Sequence, residues 1–154
     1  MGSDCRCGGG QTGYDEVSSA TVHADCRSAL RQHLGTLTGI PTERAWEGAS
    51  YSPRAGEPFI EDLLSVNDDI PVSLGAIVHE MVYILTLRFP SGKGTSGIER
   101  AGGKLLDHFK VGTSLEYGTT KLLCTKAARR GSIRQDGAWA SMTVSVSVTA
   151  FTKD

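Results

Sequence analysis

Residue types near the N-terminus include possible zinc ligands. Cys5 and Cys7 are two residues apart, and His23 and Cys26 are three apart, which would place the second pair on one face of a helix. Zinc accepts mixed thiolate and imidazole ligands. However, this Cys-x-Cys spacing is looser than the Cys-x-x-Cys of zinc knuckles. We therefore expect Cys26 in the core, His23 on the surface and no metal or cofactor, with a small zinc-stabilised binding module as an alternative.

Acid–base or nucleophilic chemistry would require histidines beside suitable partners. The four histidines are His23, His33, His79 and His108, and none adjoins a serine or cysteine in a signature such as Gly-x-Ser-x-Gly. A triad assembled in space is left open by this pattern. The segment Pro90–Thr95 lacks the hydroxyl that a phosphate loop places directly after its lysine. We predict no catalytic residues and no enzymatic activity.

Charge is unevenly distributed along the chain, although the net charge is only −1. The segment Lys121–Gln135 has five basic residues and no acidic one, whereas Glu57–Asp69 has five acidic residues and no basic one. Opposite patches on one small domain suit head-to-tail contacts between copies, which form a ring when the rotation closes. Two unrelated solvated surfaces are the alternative. The residues predicted to form this subunit or partner interface are Arg129, Arg130, Arg134, Glu61, Asp62, Asp68 and Asp69.

The spacing of apolar residues predicts two helices. Recurrence at three and four residues indicates a first helix near residues 15–34, ended by Gly35 in a left-handed conformation. A second helix is predicted at Gly97–Phe109, where Ser96 and Glu99 have the spacing of a capping box.

Two adjacent glycines interrupt the second predicted helix. Gly102 and Gly103 each cost about 1 kcal/mol relative to alanine in a helix interior. Close approach of the helix to a sheet would explain them, and a frayed helix is the alternative.

Strands account for most of the remaining chain. The predicted strands are Arg44–Glu47, Phe59–Val66, Ile77–Phe89, one that runs into a basic loop within Thr120–Arg134, and Ala138–Thr152. The last is the clearest, because apolar residues alternate strictly with serine and threonine from Ser141 to Ala150, a period that no helix uses. Asn67–Pro71 is predicted to be a break. These elements predict an α+β fold, with a mainly antiparallel or mixed sheet of about five strands and two helices packed on one face.

The length of 154 residues suits one domain. Residues 1–12 have no periodicity and are predicted to be a flexible lead-in to a single domain at 13–154. No run approaches the ~18 apolar residues of a membrane span, so no membrane partner is expected. The first ten residues lack the apolar core of a signal peptide, which argues against export.

Three groups of short motifs follow one another along the chain. They are Gly39-Ile40-Pro41, Ala45-Trp46-Glu47, Tyr51-Ser52-Pro53 and Gly56-Glu57-Pro58-Phe59; then Tyr83–Phe109, with Phe89-Pro90-Ser91-Gly92-Lys93-Gly94 at its centre; then Asp136-Gly137-Ala138-Trp139 before the last strand. Over about residues 17–152 the chain resembles the tail terminators, or tail completion proteins, of long-tailed phages.

The resemblance implies a six-membered ring of α+β subunits that caps the tail tube, stops its polymerisation and joins the tail to the head–neck connector. Its implied partners are further copies of the chain, the tail tube protein and the connector or stopper protein, and DNA passes through the lumen without sequence-specific binding. The implied location is the tail–neck region of the virion, after assembly in the host bacterial cytoplasm. A neck or stopper subunit is the alternative within the same class.

Two features bear on that implied assembly. The long loops Gly48–Pro58 and Pro90–Gly97 are available as contact arms. The acids Glu61-Asp62 within a strand, and the Cys- and Gly-rich start of the chain, depart from the family pattern.

Overall fold

The computed structural model of the chain describes residues 21–73 and 75–153. It contains helix α1, Val22–Gly35, and helix α2, Ser96–His108. Neither of these helices has the length and hydropathy that crossing a bilayer requires. Cys5, Cys7, the predicted lead-in 1–12 and the beginning of the predicted helix 15–34 lie outside the described residues.

Nine strands of the described chain form one mixed sheet. They are β1 Glu43–Ala45, β2 Phe59–Val66, β3 Ile70–Ser73, β4 Ala76–Pro90, β5 Ser114–Tyr117, β6 Thr120–Cys124, β7 Arg129–Arg130, β8 Arg134–Asp136 and β9 Trp139–Lys153. The order across the sheet is β1-β2-β4-β9-β6-β5, while β3 pairs with β4, and β7 and β8 pair with β9. Only the short β1–β2 pair among these is parallel.

Strands β4 and β9 form the centre of the sheet. They pair antiparallel along their whole lengths, from Trp139 opposite Pro90 to Lys153 opposite Ala76. Successive side chains of a strand point to opposite faces. From Met142 to Ala150, every second residue of β9 is at most 1% exposed. The alternation predicted for the last strand is confirmed.

Both helices cover the same face of the sheet. Cys26 and Leu30 of α1 join Ile98 and Leu105 of α2 in one buried cluster with the inward side chains of β4 and β9. The α+β class is confirmed, with both helices packed on one face as predicted.

The two glycines of α2 have different environments. A Cβ atom built on Gly102 would lie 2.1 Å from Cε of Met142 on β9, whereas one built on Gly103 would meet nothing within 4 Å. Close approach to the sheet therefore explains Gly102 and does not explain Gly103.

The prediction of about five strands is wrong, because short strands add to the main ones. Within the predicted break Asn67–Pro71, strand β3 begins at Ile70, and Pro71 is tolerated because β3 is an edge strand. The stretch Thr120–Arg134 contains β6, β7 and the first residue of β8, each paired with the last strand. Strand β5 was not predicted.

The helix ends differ from the predicted ones. Thr95, rather than Ser96, is the N-cap of α2, and its hydroxyl donates to Glu99 Oε1 at 2.9 Å instead of to a backbone amide. The predicted capping box is therefore wrong. Helix α1 does end at Gly35, but this glycine is not left-handed, and Thr36 caps the helix through its backbone N–H.

Candidate assembly surface

None of the described helices covers the second face of the sheet, which we call the open face, and this face is largely uncharged at its centre. Two rows of side chains cross β2, β4 and β9 there, and we call them the central rows: Leu63, Ile84 and Ser145, then Ser65, Val82 and Ser147. Leu63 is 43% exposed. Apolar and small hydroxyl side chains lose much less on leaving water than charged ones do. The central rows are therefore suited to being covered by another protein.

Charged side chains border the central rows at both ends. At one end, Arg88 Nε donates to Glu61 Oε1 at 2.6 Å, and Arg88 Nη1 lies 3.5 Å from Asp136 Oδ2. Arg88 also lines a groove of about 700 Å³ whose other wall includes the β7–β8 connection. At the other end, Glu80 and Lys126 line a cavity of about 90 Å³. An apolar centre with a polar rim is the usual anatomy of a protein interface.

The acidic and basic segments lie on opposite sides of the two central strands. Strand β2, in the acidic segment, pairs with β4, whereas the basic segment forms β6, β7 and part of β8 along the far side of β9. Neighbouring strands are about 4.8 Å apart, so three such steps separate the segments by roughly 14 Å. The exposed or half-buried members of the predicted interface set are Arg129, Arg130, Arg134, Glu61, Asp68 and Asp69. The structure does not bring its two charge groups together within one subunit.

Asp62 differs from the rest of that set, because its carboxylate is buried inside the subunit. The residue is 5% exposed. It accepts hydrogen bonds from Arg31 at 2.7 and 3.1 Å, from the Tyr83 hydroxyl at 2.8 Å and from the Glu47 backbone N–H at 2.7 Å. The Arg31 guanidinium also lies 4.7 Å from the Trp46 ring centroid. Asp62 thus connects α1 to the sheet, and this role within the subunit was not predicted.

These bonds keep the Asp62 carboxylate ionised. Burial raises its pKa, but the hydrogen bonds from Arg31, the Glu47 amide and the Tyr83 hydroxyl outweigh burial, and the net pKa is below the usual aspartate range. The hydrogen bond to Asp62 raises the pKa of Arg31. At neutral pH the pair is therefore a fully charged salt bridge.

Two histidines join the ends of the helices. The ring of His33 donates to the backbone oxygen of His108 at 2.8 Å, and the ring of His108 donates to that of His33 at 2.7 Å. Their rings stack with centroids 3.9 Å apart. Burial lowers the pKa of His33, and this favours the neutral form of the His33 imidazole. The role of this pair is to hold α1 against α2.

A third histidine forms a hydrogen-bond chain on the covered face. His79 Nδ1 lies 2.7 Å from Asp69 Oδ1, and its Nε2 lies 2.7 Å from the Thr152 hydroxyl. This is the order of groups in a hydrolytic triad. Thr152 is only 2% exposed within β9, so a substrate cannot reach its hydroxyl. The sequence signal for this cluster was His79 itself, the polar interruption of an apolar strand face.

The zinc set, which the sequence offered only as an alternative, is not assembled by the described residues. Cys26 is fully buried, as predicted, and burial raises the pKa of its thiol to about 12. A protonated thiol is a poor zinc ligand, because zinc binds the thiolate. His23 is half-buried rather than on the surface, and its ring lies edge-on to that of His79, with centroids 5.6 Å apart.

An α+β subunit whose described residues leave one sheet face uncovered, and whose two sides have opposite charges, has the form of an assembly component. Two solved structures share the fold at 16% sequence identity. One, whose description states no function, has a TM-score of 0.65 over 88% of this chain and 96% of its own. The other is a chain from the virion of a native gene transfer agent (GTA) particle, with a TM-score of 0.59 over 88% of this chain and 100% of its own. No curated protein sequence matches significantly.

The family is established by sequence. Residues 25–148, from α1 into β9, match the phage tail terminator protein family. The chain belongs to this family and is a structural protein of the phage tail. The resemblance drawn from its short motifs is confirmed.

Proposed function

We propose that the chain forms a closed ring of six subunits that caps the phage tail tube, ends its polymerisation and joins the tail to the head–neck connector. DNA passes through the lumen of this ring without sequence-specific binding. The role is structural and involves no catalysis.

The single observation that best supports ring closure is the placement of opposite charges on opposite sides of the sheet. Arg129 and Arg130 form the two-residue strand β7 beyond β9, whereas Asp68 and Asp69 follow β2 on the other side. A head-to-tail contact joins the basic side of one subunit to the acidic side of the next, and only a closed ring satisfies both sides of every subunit. Complementary charge also fixes the orientation of the contact.

The central rows supply a second contact surface. A capping ring must bind the tube as well as its own neighbours, and charge pairing at the sides of the subunit provides only one of these contacts. Leu63 and Ile84 offer apolar area to a partner, while Ser145 and Ser147 are covered at little cost. We therefore propose that a partner protein covers the central rows when the tail is assembled.

The test compares ring formation by charge variants, using native mass spectrometry and light scattering with and without purified tail tubes. The wild type is expected as a six-subunit species. Arg130→Glu should raise the subunit concentration needed for the ring by at least about tenfold, because like charges across an interface cost several kcal/mol. Adding Asp68→Lys to that variant should restore the ring. Arg100→Glu, an exposed change on helix α2 outside both segments and both loops, is the matched control.

The outcomes separate the parts of the proposal. A wild-type monomer that neither caps nor binds tube ends would overturn the tail terminator role. Capture of the neck connector without the tube would identify a neck or stopper subunit instead. A ring that Arg130→Glu leaves intact would refute the charge pairing alone.

A further inference from the structure

The ring of His23 has an unpaired nitrogen. Its Nε2 atom is buried and has no hydrogen-bond partner among the described residues. A buried polar atom that has no hydrogen-bond partner destabilises the folded state, because it has lost its hydrogen bonds to water. A ligand for this nitrogen would remove that cost, and the surroundings of the atom indicate which kind of ligand.

Two further metal-binding side chains face His23. One ligand atom each from His23, Asp69 and His79 lies within 4.8 Å of the other two. Zinc bonds of 2.0–2.2 Å in a tetrahedral arrangement place ligand atoms roughly 3.3–3.5 Å apart, so only small movements are needed. Asp69 can supply them, since its side chain is 39% exposed and precedes the edge strand β3. His79 is fixed within β4.

We infer that His23, Asp69 and His79 form a binding site for a divalent transition-metal cation of the zinc class. Two imidazoles and one carboxylate suit zinc and its neighbours, whereas magnesium and calcium prefer sites made of oxygen ligands alone. The site shares His23 with the cysteine-containing set considered from the sequence, but it differs from that set because it excludes the buried thiol of Cys26.

The hydrogen bonds of His79 support this assignment. With Nδ1 bound to the metal in place of its bond to Asp69, the proton of the neutral ring resides on Nε2. The Thr152 hydroxyl lies 2.7 Å from Nε2. It can then accept a hydrogen bond from the Nε2–H group, whereas it donates to Nε2 when that nitrogen has no proton. Ligating histidines usually have their second nitrogen held by such a group, which fixes the tautomer and the ring. The buried hydroxyl thus serves the site as an orienting partner.

The experiment measures metal binding by the purified full-length chain after treatment with a chelator. Titration calorimetry should give one Zn²⁺ per chain, and Zn²⁺ should raise the melting temperature where Mg²⁺ does not. Co²⁺ should give the visible absorption of a nitrogen- and oxygen-ligated ion, without a thiolate charge-transfer band. None of these readouts depends on ring formation, so failure here and failure of the tail terminator role are distinguishable.

Variants test the individual ligands. His23→Gln and Asp69→Asn should each weaken Zn²⁺ binding by at least about tenfold, the lower end of the loss that even outer-shell changes cause. Asp107→Asn, an exposed change on α2 outside both the ligand set and the predicted interface, is the matched control and should bind like wild type. Circular dichroism checks that the variants fold, and Asp69→Asn is informative even where a helix substitution is not tolerated.

Three results would overturn the inference. The first is no Zn²⁺ binding by the folded wild type. The second is full binding by both His23→Gln and Asp69→Asn. The third is a thiolate band with Co²⁺ that Cys5→Ser and Cys7→Ser abolish, which would assign the metal to the cysteines.

Discussion

Polar side chains have opposite environments on the covered and open faces of the sheet. On the covered face, the carboxylate of Asp62 has four hydrogen bonds within the subunit. On the open face, the central rows have hydroxyl and apolar side chains with charges only at their ends. The polar side chains of the covered face therefore stabilise the fold of the subunit, while those of the open face remain available for binding a partner.

The largest expected effect comes from breaking the buried network of the covered face. Asp62→Ala leaves the Tyr83 hydroxyl and the Glu47 amide without their acceptor and Arg31 without its counter-charge. We expect a loss of about 3 kcal/mol in the free energy of unfolding, the low end for breaking a buried pair, because the Arg31 side chain is 26% exposed and can turn toward water. Urea unfolding at neutral pH measures the loss. Asp107→Ala, at an exposed position on α2 outside the predicted interface, should change the free energy by less than about 0.5 kcal/mol.

The pH dependence of that loss follows from the lowered pKa of Asp62. A carboxyl group whose pKa is lower in the folded state contributes its full stability above the unfolded pKa, about 4, and loses it as the pH falls toward the folded pKa. The difference in stability between wild type and Asp62→Ala should therefore shrink below about pH 4. A difference that stays constant down to pH 2 would contradict the assigned ionisation of Asp62.

An intermediate effect is expected where α2 meets the covered face. Met142→Ala should cost about 2–3 kcal/mol through the cavity that it creates. Gly102→Ala alone should change the stability little, because moving the flexible end of Met142 offsets the gain of about 1 kcal/mol in helix propensity. In the double variant the new methyl group enters the space vacated by Met142. A double-mutant cycle should then give a favourable coupling of at least about 1 kcal/mol.

The neighbouring glycine is the matched control for that cycle. A methyl group on Gly103 meets nothing, so Gly103→Ala should stabilise the chain by up to about 1 kcal/mol, independently of Met142. Equal effects at the two positions would show that the helix does not approach the sheet as closely as described.

The long elements of the fold could be predicted because each contains enough residues for the spacing of its apolar side chains to show a period. Strand β2 has the predicted bounds Phe59–Val66, and β9 has the predicted alternation. Strands β7 and β8 could not be predicted in this way, since two or three residues are too few to show a period. They form because β9 is long enough to offer them backbone partners.

The contacts of the candidate site are harder to predict from the sequence than the strands are. Glu61 and Asp62 are adjacent acids, and the sequence predicts only that they point to opposite faces. The choice of face for Asp62 depends on Arg31, which is 31 residues earlier in the chain. The partners of His79 are ten residues earlier, at Asp69, and 73 residues later, at Thr152. Contacts between distant residues of this kind leave no local spacing for sequence reasoning to detect.

The smallest expected effect on stability comes from the open face, where it should coincide with a large effect on assembly. Leu63→Lys places a charge in the central rows at a position that is already 43% exposed. The free energy of unfolding should change by less than about 0.5 kcal/mol, because Leu63 lies outside the buried core cluster and the aliphatic stem of lysine can pack against the same neighbours. Covering the central rows would instead require removing the ammonium group from water, which is costly without a partner for it. We expect a folded subunit that no longer caps tail tubes or no longer forms rings.

Val111→Lys is the control for that change, since Val111 is 57% exposed in the loop after α2, outside the sheet. It adds the same charge to a similarly exposed apolar position, so it should leave both stability and assembly unchanged. Native mass spectrometry and electron microscopy of tube ends, applied to both variants, separate ring formation from tube capping. If only capping fails in Leu63→Lys, the central rows face the tube; if the ring fails, they face a neighbouring subunit. If both variants assemble normally, the open face is a solvated surface and the charged sides of the sheet must provide the contacts.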